Sequence, residues 1–360
     1  MPRLLENVFT SSSVATSYIK HENINNSLPM VGAAFFPNRK KMGLRIDDIR
    51  TNKGLHVQLA ASNFDAMPTL RTRGSFSGGS REMAFFRESM QVREYDLMEL
   101  MKIEESNLAA RDSILASIYD DTYQLIQGAE MVPEIMRMQL LAPVDGSPKI
   151  YIEDNGVIYA YNYDTDGSYA NDNFAILTGS DMWTATDTAK PFDVFRTIKR
   201  TLGAKGTVPR YALMNQKTFD MLLQIDSVRN AVLAQNLTAT IDLDDATVNR
   251  LWQAKTGTSI ILYDKVRYDK TTGTSVPYYP DNYVTFLPEG ALGYTWYGTT
   301  PEERTMLAGT GVDVSMVDNR IAVAVKRDYG PPATITTVAS MIVLPSYERM
   351  GETFVVKVAD

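Results

Sequence analysis

Few side chains in this chain could carry out chemistry. Its 360 residues include no cysteine and only two histidines, His21 and His56. Disulfides, thiolate nucleophiles and cysteine-held metals are excluded, and a multi-histidine metal site or a histidine-based triad lacks material. Ser17-Tyr-Ile-Lys20, Tyr169-Ala-Asn171 and Lys255-Thr-Gly257 do supply S-x-x-K, Y-x-N and K-T-G in one chain. Where such a set acts together, the lysine helps to activate the serine. This makes a penicillin-binding type of serine acyl-transferase, using Ser17, Lys20 and Lys255, the alternative reading. The motifs are short, and two of the three are expected by chance in a chain this long. Asp164-Thr-Asp166-Gly167 opens like a calcium loop, but its glycine comes too early and Ala175 stands where the closing glutamate belongs. An ordinary turn is expected there. Gly309-Thr-Gly311 and Gly203-Ala-Lys205-Gly206 lack the rest of a phosphate-binding spacing. No cofactor and no metal are expected.

The chemistry that stands out is recognition of charge. Leu70–Arg93 carries Arg71, Arg73, Arg81, Arg87 and Arg93 and no lysine, with Gly74, Gly78 and Gly79 in its middle. Arginine forks suit carboxylates on another surface, and the glycines loosen the chain between them. We expect an extended β-hairpin that reaches onto a second copy. A further basic cluster, Arg39-Lys40-Lys41, lies upstream. Residues 1–94 hold 13 Lys/Arg against 8 Asp/Glu, whereas the whole chain is at −7. A basic segment on an acidic body can pair head to tail with a neighbour.

These residues must be positioned by a mixed set of elements. Pro29 and Pro37 break residues 1–50 into an extended arm with one short helix. Gly54–Ala61 reads as a strand. Apolar spacing predicts a long helix over 95–127 stopped by Gly128, then a second helix from Pro133 to Leu141 ended by Pro143. Lys149–Asp164 alternates around Asn155-Gly156, a hairpin signal. A polar loop to about Asp187 follows. Further on, helices are predicted at 192–202, 216–224 (capped by Asn215) and 242–254. Strands are predicted at 211–214, 258–263, 283–287, 312–316, 320–327, 334–344 and 353–358. No apolar run is long enough to span a bilayer and no secretory signal is visible, so no membrane partner is expected.

The order of these parts resembles the major capsid proteins of tailed bacteriophages, and within them the lambda-type major capsid protein E family. Three segments carry the resemblance: Arg71-Thr-Arg73-Gly74 with Gly78-Gly79; Tyr279-Pro-Asp-Asn-Tyr-Val284 leading to Leu287-Pro-Glu-Gly-Ala-Leu-Gly293; and Thr336–Pro345 continuing through Phe354–Val358. The resemblance implies an α+β, Hong Kong 97-like capsid fold. It implies an N-terminal arm (1–53), an extended loop (54–94), a peripheral domain with a spine helix (95–187), an axial domain (188–312) and closing strands (313–360) that return to the peripheral domain. It further implies no catalysis. Subunits would form pentamers and hexamers of an icosahedral shell enclosing double-stranded DNA, bound non-specifically. Arg71, Arg73, Arg81, Arg87 and Arg93 would contact a neighbour, Gly74, Gly78 and Gly79 would let the loop flex, and Arg39, Lys40 and Lys41 would be arm contacts. Portal and separate scaffold proteins are implied partners, and a decoration protein is a further candidate. The expected location is the virion, with assembly in the host cytoplasm. Some relatives fuse subunits through a loop lysine; Ala60–Glu94 contains none, so no self-crosslinking is expected. Deleting Arg73–Glu88 is expected to leave the fold and block assembly. A shell of the same fold around cellular cargo is a third reading.

Overall fold

The computed structural model describes residues 10–12, 15–16, 30–49, 78–92, 94–95, 98, 108–233, 245–270, 272–307, 313–328, 330 and 332–360. The chain opens with α1 (Gly32–Phe35), β1 (Asn38–Lys40), β2 (Arg45–Ile49), β3 (Gly78–Glu82) and β4 (Ala84–Val92). The long helix α2 (Leu108–Leu141) leads to the hairpin β5 (Lys149–Asp154) and β6 (Val157–Asn162). Then come α3 (Ser168–Asp172), β7 (Phe174–Ile176), α4 (Pro191–Ala204), β8 (Tyr211–Met214), α5 (Gln216–Gln224), α6 (Asp226–Leu233) and α7 (Asp245–Thr256). The chain continues through β9 (Ser259–Leu262), β10 (Val266–Asp269), β11 (Thr274–Pro277), β12 (Tyr283–Leu287) and β13 (Thr295–Tyr297). It closes with α8 (Pro301–Leu307), β14 (Asp313–Val317), β15 (Ile321–Asp328), β16 (Thr334–Pro345) and β17 (Phe354–Lys357).

Two compact units emerge. The first comprises Met1–Ile46, Ser80–Met136 and Tyr294–Ser346. Its sheet is ordered β1-β13-β16-β15-β14, with β4 on the other edge of β16. On that edge Ile335–Val343 run antiparallel against Val92–Ala84, while the opposite edge is divided between β15 and β13. β16 starts with alternating burial and ends in a continuously buried run. That is the pattern of a strand covered on one face first and on both faces later.

The second unit comprises Asp47–Gly79, Arg137–Gly293 and Tyr347–Asp360. Its mixed sheet is ordered β7-β17-β12-β8-β9. The central strand β12, YVTFL, is buried at every position. Against it pack apolar stripes of α4, α5 and α7. Phe195 touches both Trp252 and Phe286, with ring centroids 5.9 and 5.2 Å apart.

Local chemistry explains several elements directly. Asn155 and Gly156 both have positive φ (50° and 77°), as a two-residue turn matched to the strand twist requires. Asn215 accepts the Thr218 N–H at 2.9 Å and starts α5 where the sequence predicts it. Asp164, buried, accepts the N–H groups of Tyr169 and Ala170, both at 3.0 Å, so the Asp-x-Asp-Gly run is a turn that starts a helix.

Other expectations are corrected. α2 does not stop at Gly128; it runs unbroken through Gly128 and Pro133. Gly128 stays out of the left-handed region, so nothing there terminates the helix. Pro133 removes one hydrogen-bond donor, and the burial of Pro133, Met136, Leu140 and Leu141 offsets that loss. The described part of the expected arm is folded into the first unit: Phe35 and Phe36 are buried, the Gly32 N–H donates to the Glu134 carboxylate at 2.9 Å, and the Thr295 hydroxyl donates to the Phe36 carbonyl at 3.0 Å. The closing strands do not return together, since β16 lies in the first sheet and β17 in the second. The polar loop before Asp187 contains α3 and β7, and β7 pairs in parallel with β17. The predicted strand Gly54–Ala61, His21 and His56 lie outside the described residues. Among the described residues, no helix is long and apolar enough to cross a membrane.

Candidate assembly surface

The last part of the segment expected to form the arginine hairpin lies in the first sheet. There β4 matches nine residues of β16 in register, from Val92↔Ile335 to Ala84↔Val343. The strand supplies main-chain pairing along its whole length, so this end of the hairpin is fixed. The deletion Arg73–Glu88 would therefore remove Ala84–Glu88 from the sheet, and the expectation that it leaves the fold intact is corrected. Gly78 and Gly79, expected as points of flexibility, sit in β3, which pairs with β2.

Beside this root lies the short helix α8. Thr300 precedes it, Pro301 opens it, and the Thr300 hydroxyl oxygen accepts the Glu303 N–H at 3.2 Å. Glu302 and Glu303 occupy its first turn, where the helix dipole favours negative charge. Arg87 of β4 meets Glu302 at 2.5 Å, and the Ser340 hydroxyl of β16 donates to the same carboxylate at 2.6 Å. Lys40 of β1 meets Glu303 at 2.6 Å. Two of the cations expected to face a neighbour are thus engaged within their own chain. Thr300-Pro-Glu-Glu303 is a helix-start signature that marked this site in advance.

The other expected contact residues fall as follows. Arg39 lies over the Tyr294 ring at 3.3 Å, with Trp296 at 5.8 Å. β1 is held parallel to β13, and the Lys41 N–H donates to the Tyr297 carbonyl at 2.9 Å. Arg81 is half-buried in β3. Arg71, Arg73, Gly74 and Arg93 lie outside the described residues. Further along the same unit, Ser11 reaches the edge strand β14: its hydroxyl donates to Asp313 at 2.6 Å, and Arg327 meets the same carboxylate at 3.2 Å. Arg320 joins Glu130 of α2 at 3.0 Å and Asp318 at 2.7 Å. Burial opposes its charge, but Tyr297, Glu130 and Asp318 outweigh that and hold the guanidinium above the usual arginine range.

The acyl-transferase motifs have other roles. Lys255-Thr-Gly257 closes α7: Gly257 takes φ +76°, and the Thr256 hydroxyl donates to the Trp252 carbonyl at 2.6 Å. Lys255 stands over the Phe192 ring. The Tyr169 hydroxyl is buried against Thr353 at 3.2 Å, and Tyr347 meets the same threonine at 2.8 Å. A second buried pair, Tyr279 and Thr285 at 2.8 Å, continues to the Leu141 carbonyl at the end of α2 (2.7 Å). Burial pushes Tyr169, Tyr279 and Tyr347 well above the ordinary tyrosine range. These hydroxyls form a structural network and are not poised to exchange protons near neutral pH. Ser17 and Lys20 lie outside the described residues.

The family model described as phage major capsid protein E matches residues 16–358. No curated protein matches the chain. Among solved structures, the chain is similar to a protein assigned as a prophage capsid protein from E. coli CFT073, with 12% identity, 98% of this chain and 99% of that chain covered, and a TM-score of 0.60. It is also similar to a phage-related protein from Bordetella bronchiseptica RB50, with 12% identity, 97% of both chains covered, and a TM-score of 0.55. At such identity the likeness is one of fold.

Proposed function

The chain belongs to the phage major capsid protein E family, and on that premise we propose that its copies close into pentamers and hexamers of an icosahedral head around double-stranded DNA, held by non-covalent contacts. The α+β, Hong Kong 97-like fold, the structural role in a capsid shell and the place in the virion follow from the family and the fold. The serine acyl-transferase alternative finds no support.

One observation carries the assembly reading. The strand β4 is held by main-chain pairing along nine residues of β16, so the residues before it depart from a fixed root. A strap held at its root can place Arg71 and Arg73 on the carboxylates of a neighbour at low entropic cost. We assign these two arginines, with Arg93, as the intersubunit contacts of residues 54–94. Arg81 is proposed as a further contact of the same loop and Arg39 and Lys41 as contacts of the arm, whereas Arg87 and Lys40 pair with Glu302 and Glu303 of their own chain. Many weak copies of one contact in a closed array give a stable shell. The absence of a loop lysine is consistent with non-covalent closure. We further propose assembly in the host cytoplasm with a separate scaffold protein and a portal protein, an optional decoration protein, and no catalytic role.

The test is expression of the chain followed by negative-stain imaging and nucleic-acid analysis of the particles. Wild type is expected to form rings or shells, and the double variant Arg71→Glu/Arg73→Glu is expected to remain unassembled with unchanged melting. A wild-type chain that stays monomeric at high concentration, with and without co-expressed scaffold, overturns the reading. Covalent multimers of mature shells on a denaturing gel overturn non-covalent closure alone.

A further inference from the structure

The hairpin β5–β6 has two unlike edges. Its two-residue turn makes Asp154↔Val157 a hydrogen-bonded pair, so every second pair up the ladder is bonded too. The Tyr163 N–H on the Pro148 carbonyl at 2.9 Å continues that alternation. The pairs between them, Glu153↔Ile158 and Tyr151↔Ala160, turn their main-chain groups outward. On the β5 edge, Gln139 of α2 takes those of Tyr151. Its Oε1 accepts the Tyr151 N–H at 3.1 Å, and its Nε2 donates to the Tyr151 carbonyl at 2.9 Å. One side-chain amide thus imitates a neighbouring strand and covers the middle of that edge at Tyr151.

The β6 edge is bare. Among the described residues the outward main-chain groups of Ile158 and Ala160 have no partner, and both residues are exposed, Ile158 at 56%. The strand reads VIYAYN, with no charge, no proline and no glycine. Natural edges are blunted by charge, proline, bulges or cover. Here one edge is covered at its middle and the other is left ready for pairing.

We propose that the outer edge of β6 receives an extended strand from a second copy of this chain. This rests on the shell reading, in which every subunit is surrounded by copies. Charge favours a copy over an unrelated acidic partner. Residues 95–187, which contain the hairpin, hold 4 Lys/Arg against 17 Asp/Glu, and Glu153 and Asp154 flank its tip. Residues 1–94 of any copy hold 13 against 8. Because Gln139 occupies the middle of the opposite edge at Tyr151, a continuous added strand fits only the β6 side and the contact is one-sided. A head-to-tail contact of this kind propagates around a ring, whereas a symmetric pairing of two β6 edges ends at a dimer.

Ala160→Pro isolates the contact. Its N–H is outward and unused within the hairpin, so proline at this edge position spares the intrachain ladder while removing the donor. Ala160→Ser keeps the N–H as control. Amide hydrogen exchange over residues 157–162 is measured on unassembled subunits and on shells. We expect exchange to slow by about tenfold or more on assembly. We expect Ala160→Pro to melt like wild type yet lose about tenfold or more in shell yield, and Ala160→Ser to assemble. Shells whose 157–162 amides exchange as in free subunits overturn the proposal and leave the shell reading standing, and this wild-type result decides the matter even where Ala160→Pro melts early. Normal assembly of Ala160→Pro, or protection that appears only when a different protein is added, also overturns it. Failure of wild type to assemble overturns both readings.

Discussion

Replacing Gly298 by alanine tests the packing at the root of the strap. A Cβ there would lie 2.7 Å from Ile342 Cγ2, 2.8 Å from the Gly43 carbonyl oxygen and 2.9 Å from Met83 Cε. Ile342 belongs to β16, Met83 joins β3 to β4, and Gly43 lies in the loop between β1 and β2. Met83 Cε is the end of a flexible side chain, whereas Ile342 Cγ2 turns only with the stiff χ1 of a buried β-branched residue. The Gly43 oxygen is main chain, so relief there requires the backbone between β1 and β2 to move. Retreat on the other side would break the Gly298 N–H bond to the Ile342 carbonyl at 2.9 Å. Ordinary overpacking costs about 1–3 kcal/mol, and the main-chain contact places this case in the upper half, about 2–3 kcal/mol. At roughly 2–4 °C per kcal/mol, Tm should fall by about 4–12 °C. Gly128→Ala is the matched opposite. It lies within α2 with nothing inside 4 Å of a new Cβ, so it should gain roughly 0.5–1 kcal/mol from backbone entropy alone. Calorimetry of unassembled subunits reads both. A Gly298→Ala Tm within about 1 °C of wild type, or a Gly128→Ala protein that melts lower, would refute the packing argument.

Three more outcomes follow from the geometry. Tyr169, Tyr279 and Tyr347 are raised by burial, so the unfolded chain releases their protons first as pH rises past about 10. Stability is then full below that pH and falls above it by up to roughly 1.4 kcal/mol per pH unit per tyrosine; a urea midpoint that stays flat from about pH 9.5 to 11.5 would contradict this. Asn215→Ala removes the α5 cap and should cost about 1 kcal/mol in urea denaturation, with Asn215→Ser recovering most of it. Arg87 is 45% exposed, so its pair with Glu302 should show a double-mutant coupling below about 1 kcal/mol that weakens with salt; a coupling above about 2 kcal/mol would mean the pair is far less solvated than its exposure indicates.

Much of the second unit was legible in the sequence because its signals are local. Asn155-Gly156, the Asn215 cap, Tyr211–Met214 and Tyr283–Leu287 each depend on a few adjacent residues and appear where predicted. α8 carried an equally local signal in Thr300-Pro-Glu-Glu303 and went unused. The break placed at Gly128 and Pro133 failed for a different reason. Helix punctuation is a propensity, and burial of the last turns of α2 overrides it.

By itself the sequence determined that no cysteine chemistry is available, that the chain mixes helices and strands in the order of a capsid subunit, and that its positive charge gathers in the first ninety-four residues. Only the tertiary structure decided which charges are engaged within the chain itself. Nothing adjacent to Arg87 or Lys40 in the sequence shows that they end on Glu302 and Glu303, more than two hundred residues away. The tertiary structure also decided that β4 is a sheet strand, that β16 and β17 part company, and that Gln139 covers the middle of one edge of a hairpin and leaves the other open. Strand pairing and ion pairing are made between surfaces. A residue's own neighbours set its local conformation, but its partners depend on which distant segments the fold brings alongside.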